Sequence, residues 1–429
     1  MYALYTLLLT LTLPFALLRL LWRSRRAPAY RRRLRERFGR TEISPAAGGI
    51  WIHAVSVGEV QAVAPLVRLL LEAHPEQAII LTTTTPTGSD QVRRLFGDQV
   101  LHAYMPWDLP PFLTRFLDRV RPARLLMVET EIWPNLLRLC RARGIETILA
   151  NGRLSERSLR GYQRLGGFAR RVFADVDRVA AQTEDDARRF RKAGVPGERV
   201  VVTGSIKFDM TIAASVVEQV EVMRRHWAGR PVWIAASTHE GEEEIALAAH
   251  ARLLRRLPQA LLILVPRHPE RFDRVVPQII RAGYQPVRRS AGQLPGADDP
   301  VYLADTMGEL PVLIGAADAA FIGGSLARVG GHNMLEAAAQ GVPVCFGPHT
   351  FNFALISRML LEAGAAREVG DAVALAEVVG DWLSDASSRA AAGEAGRALV
   401  ERNRGALQRL YALLEQEARP RAERPGRPQ

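Results

Sequence analysis

FIGGSLARVGGHNMLEAAAQGVPVCFGP, Phe321 to Pro348, decides how this chain reads. Its apolar opening runs into Gly323 and Gly324, and a second glycine pair follows at Gly330 and Gly331. A helical pattern then extends from Asn333 to Gln340, Gly341 stops it, and Val342 to Phe346 reads as the next buried strand. Strand, glycine loop, short helix and strand make a βαβ unit. A helix that starts beside bare backbone N–H groups favours a phosphate or carboxylate. Glu336, one turn inside, can accept two hydroxyl hydrogen bonds from a ribose. The plainer alternative is that the glycines only turn the chain tightly inside an α/β core. Against it stands the concentration of GGS, GGHN, a helix acid and a GP-closed strand within one crossover, on the rim where parallel sheets bind ligands. No GK[ST] follows, which excludes a P-loop ATPase.

Working outward, the chain has 429 residues and 48% hydrophobic content, enough for a sizeable core and, by length, two domains. A net charge of +12 and a pI near 10.5, carried almost wholly by arginine, imply polyanionic surroundings: nucleic acid, an anionic membrane or a phosphorylated substrate. Cys140 and Cys345 show no CxxC spacing and read as buried thiols of a reducing compartment.

Met1 to Leu18 carries no charged side chain, and the apolar run reaches Trp22 interrupted only by Arg19, about the length that crosses a bilayer. Arg23, Arg25, Arg26, Arg31, Arg32, Arg33 and Arg35 follow. The positive-inside rule keeps that cluster cytoplasmic and points the first residues outward. A cleaved signal peptide needs positive charge ahead of its apolar core, and none is present. Residues 1–22 are therefore expected to be an uncleaved anchor or a deeply inserted membrane helix, with the arginines gripping anionic head groups.

Strands and helices then alternate as in a parallel sheet. Strand patterns occur at Ile50 to Val55, Ala78 to Thr83, Leu125 to Val128, Thr147 to Ala150, Arg178 to Ala181 and Val200 to Thr203, and a helix runs from Glu59 to Ala73. Ile212 to Trp227 is helical, and a second strand series begins at Val232 and continues through Leu261 to Val265, Ala319 to Ile322 and Val342 to Phe346. The fold class this predicts is α/β, two Rossmann-like domains facing a cleft behind an N-terminal membrane helix. The expected divisions are 23–210, a linker helix 211–230, a second domain 231–417 ending in an amphipathic helix from Arg389 to Glu417, and a disordered basic tail 418–429.

Polar chemistry collects at strand ends. HAVSVGEV, His53 to Val60, sets Glu59 at a strand-to-helix turn, either facing the cleft or simply serving the helix dipole. TTTTPTG, Thr82 to Gly88, offers hydroxyls to a substrate or to a helix cap. In VETEIWPN, Val128 to Asn135, Glu129 and Glu131 are two apart and face one side if extended, and a pair of acids in a cleft is costly enough to suggest function. NGRLSERS supplies Arg153 and Arg157 to an anion or to a solvated helix start. GSIKFD puts Lys207 beside the hinge. The second series offers STHEGEE, VPRHPERF with Arg267 directly after a strand, and DTMGEL, whose Met307, Gly308 and Glu309 could read a base edge. His239 and His268 lack a partner at ligand spacing, so hydrogen-bonding roles are expected and no metal.

Taken together, APAYRRR, SVGE, TPTGS, ETEIWPN, GSIKFD, STHEGEE, LVPRHPERF, DTMGEL, GGHN and GPHTFNF give the chain, over nearly its whole length, a resemblance to the 3-deoxy-D-manno-octulosonic acid (Kdo) transferases of lipopolysaccharide assembly, membrane-anchored glycosyltransferases of the GT-B fold. The resemblance implies CMP-Kdo as donor, a lipid A precursor (lipid IVA) as acceptor, inversion at the anomeric carbon, and an enzyme at the inner (cytoplasmic) membrane with its catalytic domains on the cytoplasmic side. It implies Glu59 as general base, with Glu129 and Lys207 stabilising the transition state. It further implies CMP contacts at Pro266 and Arg267, at Met307, Gly308 and Glu309, and at Asn333, Met334, Leu335 and Glu336. No cofactor, metal or nucleic acid enters this scheme. Two alternatives stay open on the residues alone: a GT-B transferase with a different nucleotide sugar and lipid acceptor, and a noncatalytic membrane-tethered polyanion binder, which leaves acids at strand ends unexplained.

Overall fold

Short apolar strands separated by helices build two seven-stranded sheets, each wholly parallel. The structure, a computed structural model, describes residues 1–25, 28–45, 47–227 and 229–416. It divides into two units, Met1–Lys207 together with the chain from Gly405, and Phe208–Arg404.

The first unit contains β1 (Ile50–His53), β2 (Ile79–Thr83), β3 (Leu101–Tyr104), β4 (Arg124–Val128), β5 (Glu146–Gly152), β6 (Arg178–Ala181) and β7 (Val200–Val202), in sheet order β3-β2-β1-β4-β5-β6-β7. Ile52 lies opposite Leu81 and Leu126. Both faces are covered: Ile50 and Ile52 enter one hydrophobic core and Trp51 the other. That is why the strands are continuous apolar runs without polar alternation. Trp51 is fully buried and its indole N–H donates to Thr82 Oγ1 at 2.8 Å, and burying a large apolar side chain contributes about 1.5–3 kcal/mol.

The second unit contains β8 (Val232–Thr238), β9 (Leu261–Pro266), β10 (Val287–Arg288), β11 (Val301–Leu303), β12 (Ala319–Ile322), β13 (Val344–Phe346) and β14 (Ala366–Glu368), ordered β10-β11-β9-β8-β12-β13-β14. Again the faces alternate, Ile234 toward one core and Trp233 toward the other.

The divisions differ from those expected. The supposed linker helix, Ala214–His226, belongs to the second unit, where Met223 and Trp227 join the core and Arg224 Nε donates to Gly315 O at 3.0 Å. The single C-terminal helix expected from Arg389 is two, Ala386–Arg402 and Ala406–Glu415. Gly405, at φ 86°, breaks them in a conformation that favours glycine. The second helix returns to the first unit and buries Ala406, Leu410, Leu413 and Leu414 in its core. The tail expected at 418–429 lies outside the described residues.

One N-terminal helix, Tyr2–Arg23, is long and apolar enough to cross a membrane. Its first turn is nevertheless tied to the first unit: Tyr2 Oη donates to Asp175 at 3.1 Å, Tyr5 Oη to Asp108 at 2.9 Å, and Thr6 pairs with Asn135. The start of the helix therefore packs against the unit. Leu4, Leu7, Leu8, Leu11, Phe15 and Leu18 remain exposed.

Candidate active site

In each sheet the chain reverses its direction of travel beside its first strand, and the loops leaving the two strands there diverge to form a crevice at their carboxyl ends. In the first unit this point lies between β1 and β4.

Glu59 occupies it, in the first turn of the helix Val57–Ala73. Ser56 caps that helix, accepting from Glu59 N at 3.4 Å, while Glu59 accepts from Val55 N at 2.7 Å and Ser56 Oγ at 3.1 Å. This S-x-x-E arrangement resembles a capping box, so the plain role for Glu59 is filled. The same carboxyl is also chemically unusual. Burial raises its pKa to about 7 against the Val55 hydrogen bond, and the charges of Glu129 and Glu131 push the same way. A carboxyl near neutrality is matched to proton abstraction.

Glu129 leaves β4 at φ 62°, a left-handed conformation costly for a residue with a side chain. The expected extended stretch is thus a turn, and the turn is what brings both acids into the field of Glu59. Lys207 Nζ donates to Glu129 Oε1 at 2.8 Å, and Arg153 Nη2 lies 3.5 Å from Glu129 Oε2. Glu131 accepts from Trp133 Nε1 at 2.7 Å, and burial raises its pKa despite that bond. His53, fully buried, places Nε2 3.9 Å from Glu131; burial drops its pKa to about 4, so it is neutral at pH 7. Neither His53 nor the Glu131–Trp133 bond was singled out in the sequence, where both stand inside motifs read for other residues. Of the open pairs, Thr85 takes the cap role, accepting from Gly88 N at 3.1 Å, and Arg157 is an exposed residue of a helix start.

In the second unit the reversal lies between β8 and β12. Arg267, directly after β9, His239 after β8, and His332, Asn333 and Glu336 after β12 share one electrostatic neighbourhood with His268. Asn333 Nδ2 donates to Glu336 Oε1 at 3.1 Å, and burial raises the Glu336 pKa while Asn333 and Arg267 oppose it. His239 and His332 stack at 5.1 Å with their Nε2 atoms 2.8 Å apart, so one ring donates to the other. Burial, then the charge of Arg267, takes the His332 pKa to about 3. His332 is visible in the sequence only as a letter of GGHN.

Other expected donor residues are placed differently. Met334 and Leu335 are fully buried in the core, and Pro266 is a buried strand end, so none presents a side chain. Glu309 is bound to Arg289, whose Nη2 lies 2.6 Å from Oε1, which lowers its pKa. Met307 is exposed and Gly308 turns the chain at φ 95°. Among the described residues no group of three or more His, Cys, Asp or Glu is placed to hold a metal.

The glycine loop corrects the opening expectation most directly. Its amides are already occupied: the buried Glu242 carboxylate accepts from Gly324 N at 2.7 Å, Ser325 N at 3.0 Å, Leu326 N at 2.9 Å and Ala327 N at 3.1 Å, and from His239 N at 2.9 Å. Gly323 lets the loop pass β8, since a Cβ there would lie 2.6 Å from Ser237 O. The helix beyond, Leu335–Ala339, has five residues, and Leu335 N is taken by Asn333 Oδ1 at 3.2 Å. The glycine amides of this rim are thus held by Glu242, and Arg267 and the histidines stand beside them.

Two parallel-sheet Rossmann-like units, with acids at the reversal point of one and an arginine and histidine cluster at that of the other, define a GT-B-type protein. The same fold is seen in the UDP-GlcNAc 2-epimerase of Neisseria meningitidis, at a TM-score of 0.57 and 16% identity over 85% of this chain and 99% of that one. Residues 32–210 match the family model for 3-deoxy-D-manno-octulosonic-acid transferase (kdotransferase). Over 415 residues the chain is 43% identical to the 3-deoxy-D-manno-octulosonic acid transferase of Haemophilus influenzae, covering 96% of this chain and 97% of that protein. It is 42% identical to that of Bordetella pertussis over 397 residues, 88% of this chain and 90% of the relative. The chain belongs to the 3-deoxy-D-manno-octulosonic acid transferase family and is a glycosyltransferase.

Proposed function

We propose that the enzyme transfers Kdo from CMP-Kdo to a hydroxyl of the glucosamine disaccharide of a lipid A precursor, lipid IVA, with inversion and with Glu59 as general base. The observation that carries this reading is a partly buried carboxyl with a pKa of about 7 at the reversal point of the first sheet. As the acceptor oxygen forms its bond to the anomeric carbon, Glu59 takes the hydroxyl proton, the anomeric C–O bond to the CMP phosphate breaks, and CMP leaves with the electron pair. Glu129 faces the developing oxocarbenium charge, and Lys207, bonded to it at 2.8 Å, serves the sugar carboxylate or the departing phosphate. Arg267 binds the phosphate, with Asn333 and Glu336 taking the ribose hydroxyls. The exposed backbone at Met307 and Gly308 reads the base.

The N-terminal helix and the arginines after it hold the enzyme on the cytoplasmic face of the inner membrane. Because its first turn is bonded to the first unit, the helix enters the interface lengthwise, its exposed leucine face in the acyl layer and the arginines against anionic head groups. Confinement to the surface that holds an insoluble, phosphorylated acceptor raises the encounter rate.

The test is donor competition. CMP-Kdo is expected to support transfer, and excess CMP but not UDP to inhibit it; inhibition by UDP with turnover of a UDP-sugar would assign the enzyme to another donor.

A further inference from the structure

Between the N-terminal helix and the loops after β3 and β4 lies a cavity of about 310 Å³. Leu9, Leu13 and Ala16 of the helix form one wall, and Trp107, Ile132 and Trp133 the other. We propose that this cavity seats one fatty acyl chain of the acceptor lipid; the inference rests on the reading above that the acceptor is an acylated disaccharide.

Three observations select an acyl chain. The polar side chains of Tyr5, Asp108 and Thr12 at the cavity are already hydrogen-bonded. Asp108 accepts from Tyr5 Oη at 2.9 Å, Asn135 N at 3.0 Å and Leu136 N at 2.8 Å, and Thr12 Oγ1 donates to Leu9 O at 3.0 Å. A sugar or nucleotide would leave its own polar groups unpaired there, whereas a hydrocarbon gains by leaving water. The helix that forms one wall turns its opposite side, including Leu8 and Leu11, outward as bare apolar surface, so the cavity lies behind a helix suited to lipid. Finally, Trp133 lines the cavity and also donates at 2.7 Å to Glu131, whose charge acts on Glu59. A chain lodged against one face of that indole is attached to a head group that arrives at the acids on the other side. Trp133 is then the divider between the acyl and sugar subsites, and the cavity sets which acylation states are accepted.

The test compares the full-length enzyme with Ala16→Trp, which fills the cavity, and Leu11→Trp, which adds the same ring on the exposed face of the same helix. Acceptors are the acylated disaccharide and its deacylated counterpart. Ala16→Trp is expected to lower the ratio of kcat/KM for acylated over deacylated acceptor about tenfold, the cost of displacing roughly two methylenes, whereas Leu11→Trp keeps the wild-type ratio. An unchanged ratio in Ala16→Trp, or the same fall in both variants, overturns the proposal. A second readout is independent of turnover: an acceptor analogue with a diazirine on one acyl chain is expected to crosslink at Leu13 or in the Trp107 and Trp133 loops, mapped by mass spectrometry. Crosslinks confined to the outer face of the helix overturn the acyl site even if Kdo is transferred. Crosslinks in the cavity without transfer from CMP-Kdo leave the acyl site standing and reject the donor.

Discussion

Glu59 serves two purposes at one position. It closes a helix cap through Val55 N and Ser56 Oγ, and that cap holds the carboxyl where burial and two neighbouring acids bring its pKa to about 7. With Glu59 as the base, kcat/KM for the acceptor rises with pH along a limb of apparent pKa near 7, and Glu59→Gln lowers turnover by about 10²–10⁴ while leaving CMP-Kdo binding intact. A flat profile from pH 5 to 8 would remove Glu59 from the proton transfer. The same shift affects stability with a definite sign. A carboxyl whose folded pKa lies above its unfolded value near 4.5 contributes stability fully below that value and loses it as pH rises through about 7. Glu59→Gln, free of that loss, is expected to melt above wild type at pH 8, by up to about 3 kcal/mol, with the gap closing toward pH 5. Thermal scans at the two pH values check it; a gap independent of pH contradicts it.

At the scale of elements, strands buried on both faces were legible because their apolar runs have no competing pattern, as in β1, β4, β8 and β12. Of the strands that were missed, Leu101–Tyr104, Val287–Arg288 and Ala366–Glu368 lie at sheet edges, are only partly buried and carry His102, Arg288, Arg367 and Glu368, so no apolar run marks them, and Val301–Leu303 is a run of only three residues. The position of acids after β1 and β4 was legible for the same reason that the sheet was: strand ends are where a parallel sheet presents side chains. The occupant of the glycine loop was not legible. Glu242 is separated from Gly324 by 82 positions, and only the pairing of β8 with β12 brings them together. Glu242→Ala strips an acceptor from five amides at once and is expected to destabilise the second unit by about 3–5 kcal/mol. Added inorganic phosphate, entering the vacated nest, should restore part of the loss. An unchanged melting temperature would mean that the loop holds itself.

For the whole molecule, the last described helix, Ala406–Glu415, returns to the first unit. The return of Ala406–Glu415 was hidden because its amphipathic pattern runs on from the preceding helix, with only Asn403, Arg404 and Gly405 between them. Arg178 and Arg124 donate to Leu413 O and Leu414 O, and four apolar side chains complete the core. Truncation after Arg404 is therefore expected to unfold the first unit preferentially, since loss of even one buried leucine costs about 2–5 kcal/mol. Hydrogen exchange should accelerate in the β1 and β4 peptides and hold in those of β8 and β12; equal acceleration in both sets would contradict the division. The proposed reaction is a Kdo transfer with Glu59 as its base. Its most direct test is the mass of the product formed from CMP-Kdo and the tetraacylated precursor by wild type and Glu59→Gln. The account predicts acceptor bearing Kdo with wild type and almost none with the variant. Wild type that binds CMP yet forms no Kdo-bearing product, or a Glu59→Gln variant that forms it at the wild-type rate, would contradict the account.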